Sequence, residues 1–353
     1  MSGLEKSEDA LQDAFDCALL DLDGVVYRGP YAVRYAPQAV QHARERQMRT
    51  MFVTNNASRT PDSIADHLTD LGVPTGPEEV TTAAMAVAAL IASEADERTR
   101  VLPIGGAGLR QALTDEGLHL VDSAEQQPTV VVQGFTPQIG WADLAEAAYA
   151  VAGGAAYLAS NLDQSLPTER GFAPGNGALV GAVMAATGVQ PRSTGKPQPD
   201  IFTQAAAAAG ALRALVVGDR LDTDLAGARA AGMPGLWVGT GVDGPTQVLR
   251  APAGHRPAFL GADLRALAQA HPQPQRAGDW WTCRRAAARV DADGVILRRH
   301  NGELVLGEAV EIDTDELRAA AAACWAASDD AGADSVLAEG FPQVRLAGTE
   351  TTG

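Results

Sequence analysis

Two aspartates end the first strongly apolar stretch of the chain, in the sequence LLDLDGVVYRG. Asp21 and Asp23 are one residue apart, so in an extended backbone both side chains point to the same side. Two carboxylates placed together can divide nucleophilic attack and proton transfer between them. Read alone, the stretch is also consistent with two turn-forming aspartates at the end of a strand.

A second polar group follows the next strand-like run, in the sequence FVTNNASR. Thr54, Asn55, Asn56, Ser58 and Arg59 bring many hydrogen-bond donors into the turn before a helix-like stretch. Together with the unpaired amides of a helix start, such a turn favours an anion. Helix capping by one of these side chains would explain the same residues without a ligand.

A lysine in a rigid setting is the third candidate. Lys196 stands between Gly195 and Pro197, just before a helix-like stretch. This setting is less typical of a freely solvated side chain, although an ordinary surface lysine remains the alternative.

The fourth candidate is the segment LVVGDRLDTDLAGARAAG, in which a strand-like run ends at Asp219. Asp222 and Asp224 follow closely. Several carboxylates at a strand end suit a divalent cation. Acidic residues in the first turn of a helix are the alternative interpretation.

The elements that must position these residues alternate along the chain. The runs CALLDL and TMFVT read as strands, and APQAVQHARERQ and PDSIADHLTDLG read as helices. This βαβα pattern predicts a parallel sheet with helices on both faces, in which ligands bind beyond the carboxyl ends of the strands.

A second alternating block lies between the junctions VPTGPEE and VQPRSTGKPQP, both rich in proline and glycine. We therefore expect an α/β domain inserted into the first one, acting as a lid. The predicted division is a core in residues 1–79 and 191–272, an inserted domain in 80–190 and an appendage in 273–353.

The appendage is predicted to be a small α+β structure. Asn301-Gly302 is a two-residue hairpin signal, and DTDELRAAAAACWAAS reads as a helix. We expect the appendage to pack on the core or to mediate assembly.

Composition restricts the class of partner. A formal net charge of -17 argues against nucleic acid or an anionic membrane surface, but a local cationic pocket still permits a small anion. The N-terminal residues lack the pattern of a secretory signal, no apolar run reaches membrane-spanning length, and three widely spaced cysteines suit reduced thiols. These features predict a cytoplasmic protein without membrane insertion.

In chain order, the four groups resemble the motifs of the haloacid dehalogenase (HAD) superfamily of phosphohydrolases, over about residues 15 to 270. TNNASR, SNLDQSLPTERGFAPGNGAL and GDRLDTD are similar to the NagD-like subfamily with a large α/β cap. The resemblance implies a Rossmann-like parallel-sheet core with an inserted cap. It also implies a phosphatase for a small phosphorylated metabolite, with glycerol 3-phosphate, and hence glycerophospholipid metabolism, as the first expectation.

The resemblance also implies roles for the motif residues. Asp21 would be the nucleophile that forms an aspartyl-phosphate, and Asp23 the general acid and base. Mg²⁺ would be held by Asp21, the Asp23 backbone carbonyl and Asp219. The remaining roles are phosphate binding by Thr54, Asn55, Asn56 and Lys196, and support by Asp224, Ser58 and Arg59.

Substrate choice is expected to lie in the inserted domain, because family resemblance places its segment 161–177 over the active site. The polar and charged residues of this predicted loop include Thr168 and Glu169, and the candidates for specificity are Asp163, Arg170 and Asn176. A plain polar connection is the alternative for each of them.

Other functions stay open at this point. VLPIGGAGLRQAL matches two of the three glycines of a dinucleotide site, and the third position is Gln111, which favours a simple turn in the inserted domain. A silent binding or regulatory module and a phosphotransferase with the same chemistry are further alternatives. Phosphoglycolate, pyridoxal phosphate, aryl phosphates and nucleotides are alternative substrates, and a homo-oligomer is possible.

Overall fold

The computed structural model describes residues 3–168, 170–291, 294–307, 310–331 and 344–347. The chain divides into two compact units, which we call the first unit (residues 1–50 and 211–353) and the second unit (residues 51–210). In the described part of the chain, every helix is too short or too polar to cross a lipid bilayer.

The strands and helices follow in chain order. The strands are β1 Cys17–Leu20, β2 Tyr27–Arg28, β3 Tyr31–Ala32, β4 Arg49–Thr54, β5 Val80–Thr82, β6 Val101–Ile104, β7 Val130–Gln133, β8 Ala156–Ala159, β9 Ser165–Thr168, β10 Gly171–Pro174, β11 Arg192–Ser193, β12 Ala214–Gly218, β13 Gly235–Val238, β14 Phe259–Gly261, β15 Gln275–Ala277, β16 Trp280–Cys283, β17 Ala286–Asp291, β18 Gly294–Arg299, β19 Gly302–Val305, β20 Val310–Ile312 and β21 Val344–Leu346. The α-helices are α1 Leu11–Ala14, α2 Ala36–Glu45, α3 Pro61–Asp70, α4 Ala83–Glu94, α5 Ala107–Asp115, α6 Trp141–Ala152, α7 Asn176–Thr187, α8 Asp200–Ala209, α9 Ala226–Ala230, α10 Pro245–Leu249 and α11 Thr314–Ala331. A short π-helix, Leu221–Leu225, precedes α9.

The first unit is built around parallel strands in the order β14-β13-β12-β1. Every residue of these four strands is buried, as expected for a parallel sheet covered on both faces. Helix α2 buries Ala36, Val40 and Ala43, which recur at helical spacing on one face. The predicted alternation of strands and helices is confirmed here.

The second unit contains a parallel sheet in the order β11-β8-β7-β6, the parallel pair β4 and β5, and an antiparallel hairpin of β9 and β10. Thr60 caps α3 by accepting a hydrogen bond from the Ser63 amide, and Pro61 occupies the first turn. The predicted fold class, a parallel-sheet α/β core with an inserted α/β cap and an α+β appendage, is confirmed. The boundaries at residues 79, 190 and 272 stay predictions.

The C-terminal appendage is part of the first unit and shares its hydrophobic core. Strands β15 to β19 form an antiparallel sheet, and α11 packs against β16, β17 and β18. Trp325 on α11 donates from its indole nitrogen to the Val248 carbonyl at 2.9 Å, and Asp329 accepts two hydrogen bonds of 2.8 Å from the buried Arg256 guanidinium. The expectation that the appendage packs on the core is therefore confirmed.

The predicted hairpin in the appendage is present, but its turn is shifted by one residue. Arg299 pairs with Gly302, so His300 and Asn301 form the two-residue loop. Gly302 itself has a φ of 120°, a left-handed backbone conformation that favours glycine, at the first position of β19.

A buried histidine joins helix α11 of the appendage to the segment that follows β14. The His271 Nε2–H donates to the Ala266 carbonyl at 3.0 Å, and Nδ1 accepts from the Arg318 guanidinium of α11 at 3.2 Å. Burial and the nearby Arg318 charge lower the pKa of His271 from 6.5 to about 4. His271 is therefore neutral in the folded protein at neutral pH.

The pKa of His271 predicts that the protein loses stability as the pH falls below 6.5. In the unfolded chain the imidazole takes up a proton near pH 6.5, whereas in the folded protein it does so only near pH 4, so acid favours unfolding. We expect the free energy of unfolding to be about 2 kcal/mol lower at pH 5 than at pH 7.5 through this group. Urea titrations of the native chain and of His271→Gln at both pH values measure it.

The prediction is tested by comparing how the free energy of unfolding changes with pH in the native chain and in His271→Gln. His271→Gln should lower stability at neutral pH and show the smaller loss at pH 5. The matched control is His42→Gln, since His42 has a half-exposed side chain on α2. An equal pH dependence in the native chain and His271→Gln would contradict the assignment.

Candidate active site

Three carboxylates meet at the carboxyl ends of two adjacent parallel strands in the first unit. Asp21 directly follows β1, Asp219 directly follows β12, and Asp224 lies on the π-helix. One oxygen atom from each side chain lies within 4.8 Å of the others. Asp219 and Asp224 are 0% and 1% exposed, and Asp21 is half-buried. We call these three residues the carboxylate cluster.

Glycines make room for the carboxylate cluster. Gly24 has a φ of 91°, and a Cβ atom there would lie 2.7 Å from Asp219 Oδ2. A Cβ atom on Gly241 would overlap the same carboxylate. The Val242 amide donates to Asp219 Oδ2 at 2.6 Å, which fixes this side chain in its position.

The carboxylate cluster fits a hard divalent cation. Three acidic groups held close together and largely buried repel one another, and a cation offsets that repulsion. Carboxylate oxygens are the ligands that Mg²⁺ and Ca²⁺ prefer. In the described part of the chain, no other group of three or more His, Cys, Asp or Glu side chains has this spacing.

The structure places the Asp224 carboxylate in the carboxylate cluster. The resemblance implied that Asp224 supports the site by ordering metal-bound waters, and this role stays a prediction. A Cβ atom on Gly218 would overlap Asp224, so the glycine at the end of β12 permits this approach. Asp222 points elsewhere, since it is exposed and accepts two hydrogen bonds from the Arg220 guanidinium at 3.1 and 2.9 Å.

The surroundings of the Asp23 carboxyl favour its protonated form. Solvent reaches its side chain, but the surrounding protein displaces much of the water, and this desolvation raises the pKa of the carboxyl. The positive charge of Arg28 acts in the opposite direction. Arg28 donates to the Thr240 carbonyl, and the Thr240 hydroxyl donates to the Gly24 carbonyl at 2.7 Å, so the turn after Asp23 is tied to the end of β13.

Sequence reasoning missed the segment Thr240–Asp243, which follows β13. Asp243 Oδ2 accepts from the Leu221 amide at 2.7 Å and so holds the π-helix start. Desolvation raises the pKa of this carboxyl. The signal was present in GLWVGTGVDG, where glycines and an aspartate follow another buried strand end.

In the second unit, the turn after β4 is shaped by its own side chains. Thr54 Oγ1 accepts from the Asn56 amide at 3.1 Å, and Asn56 Oδ1 accepts from both the amide and the hydroxyl of Ser58. Arg59 lies against the first turn of α3, where its guanidinium donates to the Ser63 carbonyl at 2.6 Å. Thr60, and neither Asn56 nor Ser58, caps the helix.

Lys196 lies beside this turn in the same unit. Its side chain is only 4% exposed, and Nζ is 5.7 Å from the centre of the Phe202 ring. Its backbone amide donates to Asn55 Oδ1 at 2.8 Å, while Asn55 Nδ2 donates to the Lys196 carbonyl at 3.2 Å. The structure thus brings together the Thr54 turn and the lysine that the sequence predicted as one phosphate site.

The predicted loop 161–177 contains the β9–β10 hairpin instead. Asp163 precedes the hairpin and accepts from Asn55 Nδ2 at 3.1 Å. Arg170 is exposed in the hairpin turn, and Glu169 lies outside the described residues. Asn176 is 2% exposed and donates to the carbonyls of Asn161 and Gln133, so its bonds are internal to the unit. Roles in substrate choice stay predictions.

The glycines of VLPIGGAGLRQAL serve packing inside the second unit. The Gly108 amide donates to the Ser58 carbonyl at 3.2 Å, and a Cβ atom on Gly108 would overlap the Arg59 backbone. Gly106 also lies against Ser58, since a Cβ atom on Gly106 would be 3.0 Å from the Ser58 carbonyl oxygen. These glycines let α5 approach residues 57–59, which supports the simple-turn interpretation.

Comparisons with known proteins identify the family of the chain. Residues 18–119 match the sequence model of the haloacid dehalogenase-like hydrolases, and residues 193–267 match a second HAD-hydrolase-like model. The D-glycerol 3-phosphate phosphatase of Mycobacterium tuberculosis is 41% identical over 319 residues, which cover 88% of this chain and 86% of the relative. An acid sugar phosphatase of Staphylococcus aureus is 38% identical over 64% of this chain and 86% of its own length.

Solved structures show the same relationship. A crystal structure of the M. tuberculosis glycerol phosphate phosphatase in complex with magnesium matches 96% of this chain and 95% of its own, with a TM-score of 0.80 and 37% identity. A 4-nitrophenylphosphatase of Thermotoga maritima matches 73% of this chain and 98% of its own, with a TM-score of 0.67 and 28% identity. The chain therefore belongs to the haloacid dehalogenase superfamily and is a phosphatase of its NagD-like subfamily.

Proposed function

We propose that the chain is a Mg²⁺-dependent phosphomonoester hydrolase that acts through an aspartyl-phosphate and that its substrate is glycerol 3-phosphate. The carboxylate cluster, at the ends of β1 and β12, is the observation that carries the chemistry. The M. tuberculosis relative, named for glycerol 3-phosphate and 41% identical, supports the substrate. The proposal also includes a small phosphorylated metabolite as partner; a cytoplasmic location and a homo-oligomer stay predictions.

In this proposal Mg²⁺ would be held by Asp21, Asp219, Asp224 and the Asp23 backbone carbonyl. When bound, it would neutralise charge on the attacking carboxylate and on the phosphoryl oxygens. The full burial of Asp219 and its bond from the Val242 amide support this ligand set, because such a side chain is already positioned before binding.

The first step is attack by a carboxylate oxygen of Asp21 on phosphorus. The bond between phosphorus and the glycerol oxygen breaks, and that oxygen takes a proton from the Asp23 carboxyl. The raised pKa of Asp23 supports this role, because the group holds its proton to higher pH than an ordinary aspartate. The products of the step are glycerol and a phosphorylated Asp21.

In the second step, Asp23, now a carboxylate, removes a proton from a water molecule that attacks the same phosphorus. The acyl phosphate bond breaks, inorganic phosphate leaves, and both aspartates return to their starting states. Thr54, the amides of Asn55 and Asn56, and Lys196 are proposed to bind the phosphoryl oxygens in both steps. Ser58 and Arg59 support the turn through their bonds to Asn56 and Ser63.

The substrate is tested by release of inorganic phosphate in the presence of Mg²⁺. We expect the highest kcat/KM for glycerol 3-phosphate in a panel that includes phosphoglycolate, pyridoxal phosphate, p-nitrophenyl phosphate and a nucleotide. A higher kcat/KM for another member would overturn the substrate assignment but would not contradict the proposed chemistry. No release from any member would overturn both, and transfer to an added alcohol would identify a phosphotransferase.

A further inference from the structure

The side chain of Asn55 holds the backbone of Lys196 on both sides. Its Oδ1 accepts from the Lys196 amide at 2.8 Å, and its Nδ2 donates to the Lys196 carbonyl at 3.2 Å. The backbone N–H and C=O of Lys196 are thus both hydrogen-bonded to the side-chain amide of Asn55. This places the backbone of Lys196 at a fixed position relative to the turn that follows β4.

Gly195 makes this approach possible. A Cβ atom at Gly195 would lie 2.8 Å from Asn55 Oδ1 and 2.9 Å from Asn161 Cβ. Since side chains essentially never approach so closely, any larger residue at this position would push the two segments apart. A side chain at position 195 would therefore also disturb the hydrogen bonds between Asn55 and the Lys196 backbone.

The orientation of the Asn55 amide is set by Asp163. An ionised carboxylate only accepts hydrogen bonds, so it faces the Nδ2 group of Asn55, which lies 3.1 Å from Asp163 Oδ2. A reversed amide would direct Oδ1 at both the carboxylate and the Lys196 carbonyl. Asp163 therefore selects the one orientation in which Asn55 can hold Lys196 from both sides.

Asn161 fixes the remaining parts of this arrangement. Its Nδ2 donates to the Asn55 carbonyl at 2.7 Å, and its Oδ1 accepts from the Asp163 amide at 3.2 Å. Asn176 in turn donates to the Asn161 carbonyl at 2.7 Å. Asn161 and Asn176 are 4% and 2% exposed, so these bonds are shielded from water and rigid.

We propose that Asp163 is a positioning residue for Lys196 and acts through Asn55. This inference rests on the proposed function, in which Lys196 binds the phosphoryl group. It differs from the sequence-based expectation that Asp163 selects the substrate. If Lys196 is displaced, its positive charge stabilises the phosphoryl group less well. A displacement of about 1 Å can lower the rate by a factor of about 100.

The test is a set of substitutions measured with two probes. Inorganic phosphate, titrated calorimetrically in the presence of Mg²⁺, reports binding without turnover, and p-nitrophenyl phosphate and glycerol 3-phosphate report kcat and KM. We expect Asp163→Ala to weaken phosphate binding and to lower kcat/KM by about tenfold on both substrates. Asp163→Asn should restore at least half of the native values, because its amide oxygen still accepts from Asn55.

Double variants distinguish positioning from direct contact. If Asp163 acts through Asn55 and Lys196, Asp163→Ala should cost nothing further in Asn55→Ala or Lys196→Ala. An undiminished tenfold loss in those backgrounds, or a loss that differs between the two leaving groups, would overturn the proposal. The matched control is Asp122→Ala, which removes an 81% exposed carboxylate from the same unit and should change neither probe.

Failure of the substrate assignment can be distinguished from failure of the positioning role of Asp163. A native chain that is silent on glycerol 3-phosphate but binds inorganic phosphate overturns only the substrate, and the variants remain interpretable with the calorimetric probe. Native-like phosphate binding and native-like turnover in Asp163→Ala would overturn the positioning role, whatever the substrate is.

Discussion

The Asp21→Asn variant is expected to release phosphate from glycerol 3-phosphate more than about a thousandfold more slowly than the native chain. Asparagine keeps the shape of the side chain but removes the negative charge, so in the proposed mechanism it lacks the nucleophile that would form the aspartyl-phosphate. Initial rates of phosphate release at saturating Mg²⁺ measure the effect. Mass spectrometry of the quenched native protein should show the phosphorylated chain, and the variant should not.

The control for Asp21→Asn removes one charge from the same unit without touching the carboxylate cluster. Asp222→Asn serves this purpose, because Asp222 is exposed and bonded to Arg220. We expect it to change the rate by less than about threefold. Asp222 lies outside the carboxylate cluster, and the loss of its surface ion pair should leave the fold nearly as stable. If both variants lost activity equally, a general electrostatic effect would explain the loss and the nucleophile would lie elsewhere.

The Asp23→Asn variant is expected to lower turnover of glycerol 3-phosphate by about a hundredfold to ten-thousandfold, the usual contribution of general acid and base catalysis. The loss in the first step should depend on the leaving group. Glycerol leaves as a strongly basic alkoxide unless it receives a proton, whereas p-nitrophenol leaves readily as its anion. Burst experiments with both substrates separate the formation of the aspartyl-phosphate from its hydrolysis.

The comparison of leaving groups tests the role of Asp23 directly. With p-nitrophenyl phosphate, Asp23→Asn should form the phosphorylated chain at nearly the native rate and accumulate it, because the second step still lacks its base. Equal slowing of the first step with both substrates would contradict proton donation by Asp23 and would favour a role in holding the cation through the neighbouring backbone.

The strand ends could be predicted from the sequence because burial and chemistry change at the same residue. β1 and β12 are continuous apolar runs, and an aspartate directly follows each. In a parallel sheet their carboxyl ends share one edge, so the approach of Asp21 to Asp219 follows from the pattern. The position of Asp224 does not, because the π-helix Leu221–Leu225 shifts the side-chain period away from that of an α-helix.

The hairpin of β9 and β10 could not be predicted from local preferences. Pro167 and Pro174 lie in its two strands, and proline is unusual in strands except at edges. The hydrogen bonds of Asn55 to Asp163 and Lys196 could not be predicted from the sequence either, because they join residues far apart in the chain. Asparagine and aspartate in loops usually satisfy their own backbone, and the sequence offers no sign that these two face each other.

The two units also differ in when they can fold during synthesis. Residues 51–210 form one continuous stretch, and two of its hydrophobic clusters use only residues between 57 and 184, so these clusters can form while the ribosome is still translating the rest of the chain. The first unit cannot do so, because β1 pairs with β12 and Leu4 belongs to the same buried cluster as Leu346. The edge at which Asp21 approaches Asp219 therefore forms only after residues 214–218 have been synthesised, later in translation than the whole of the second unit.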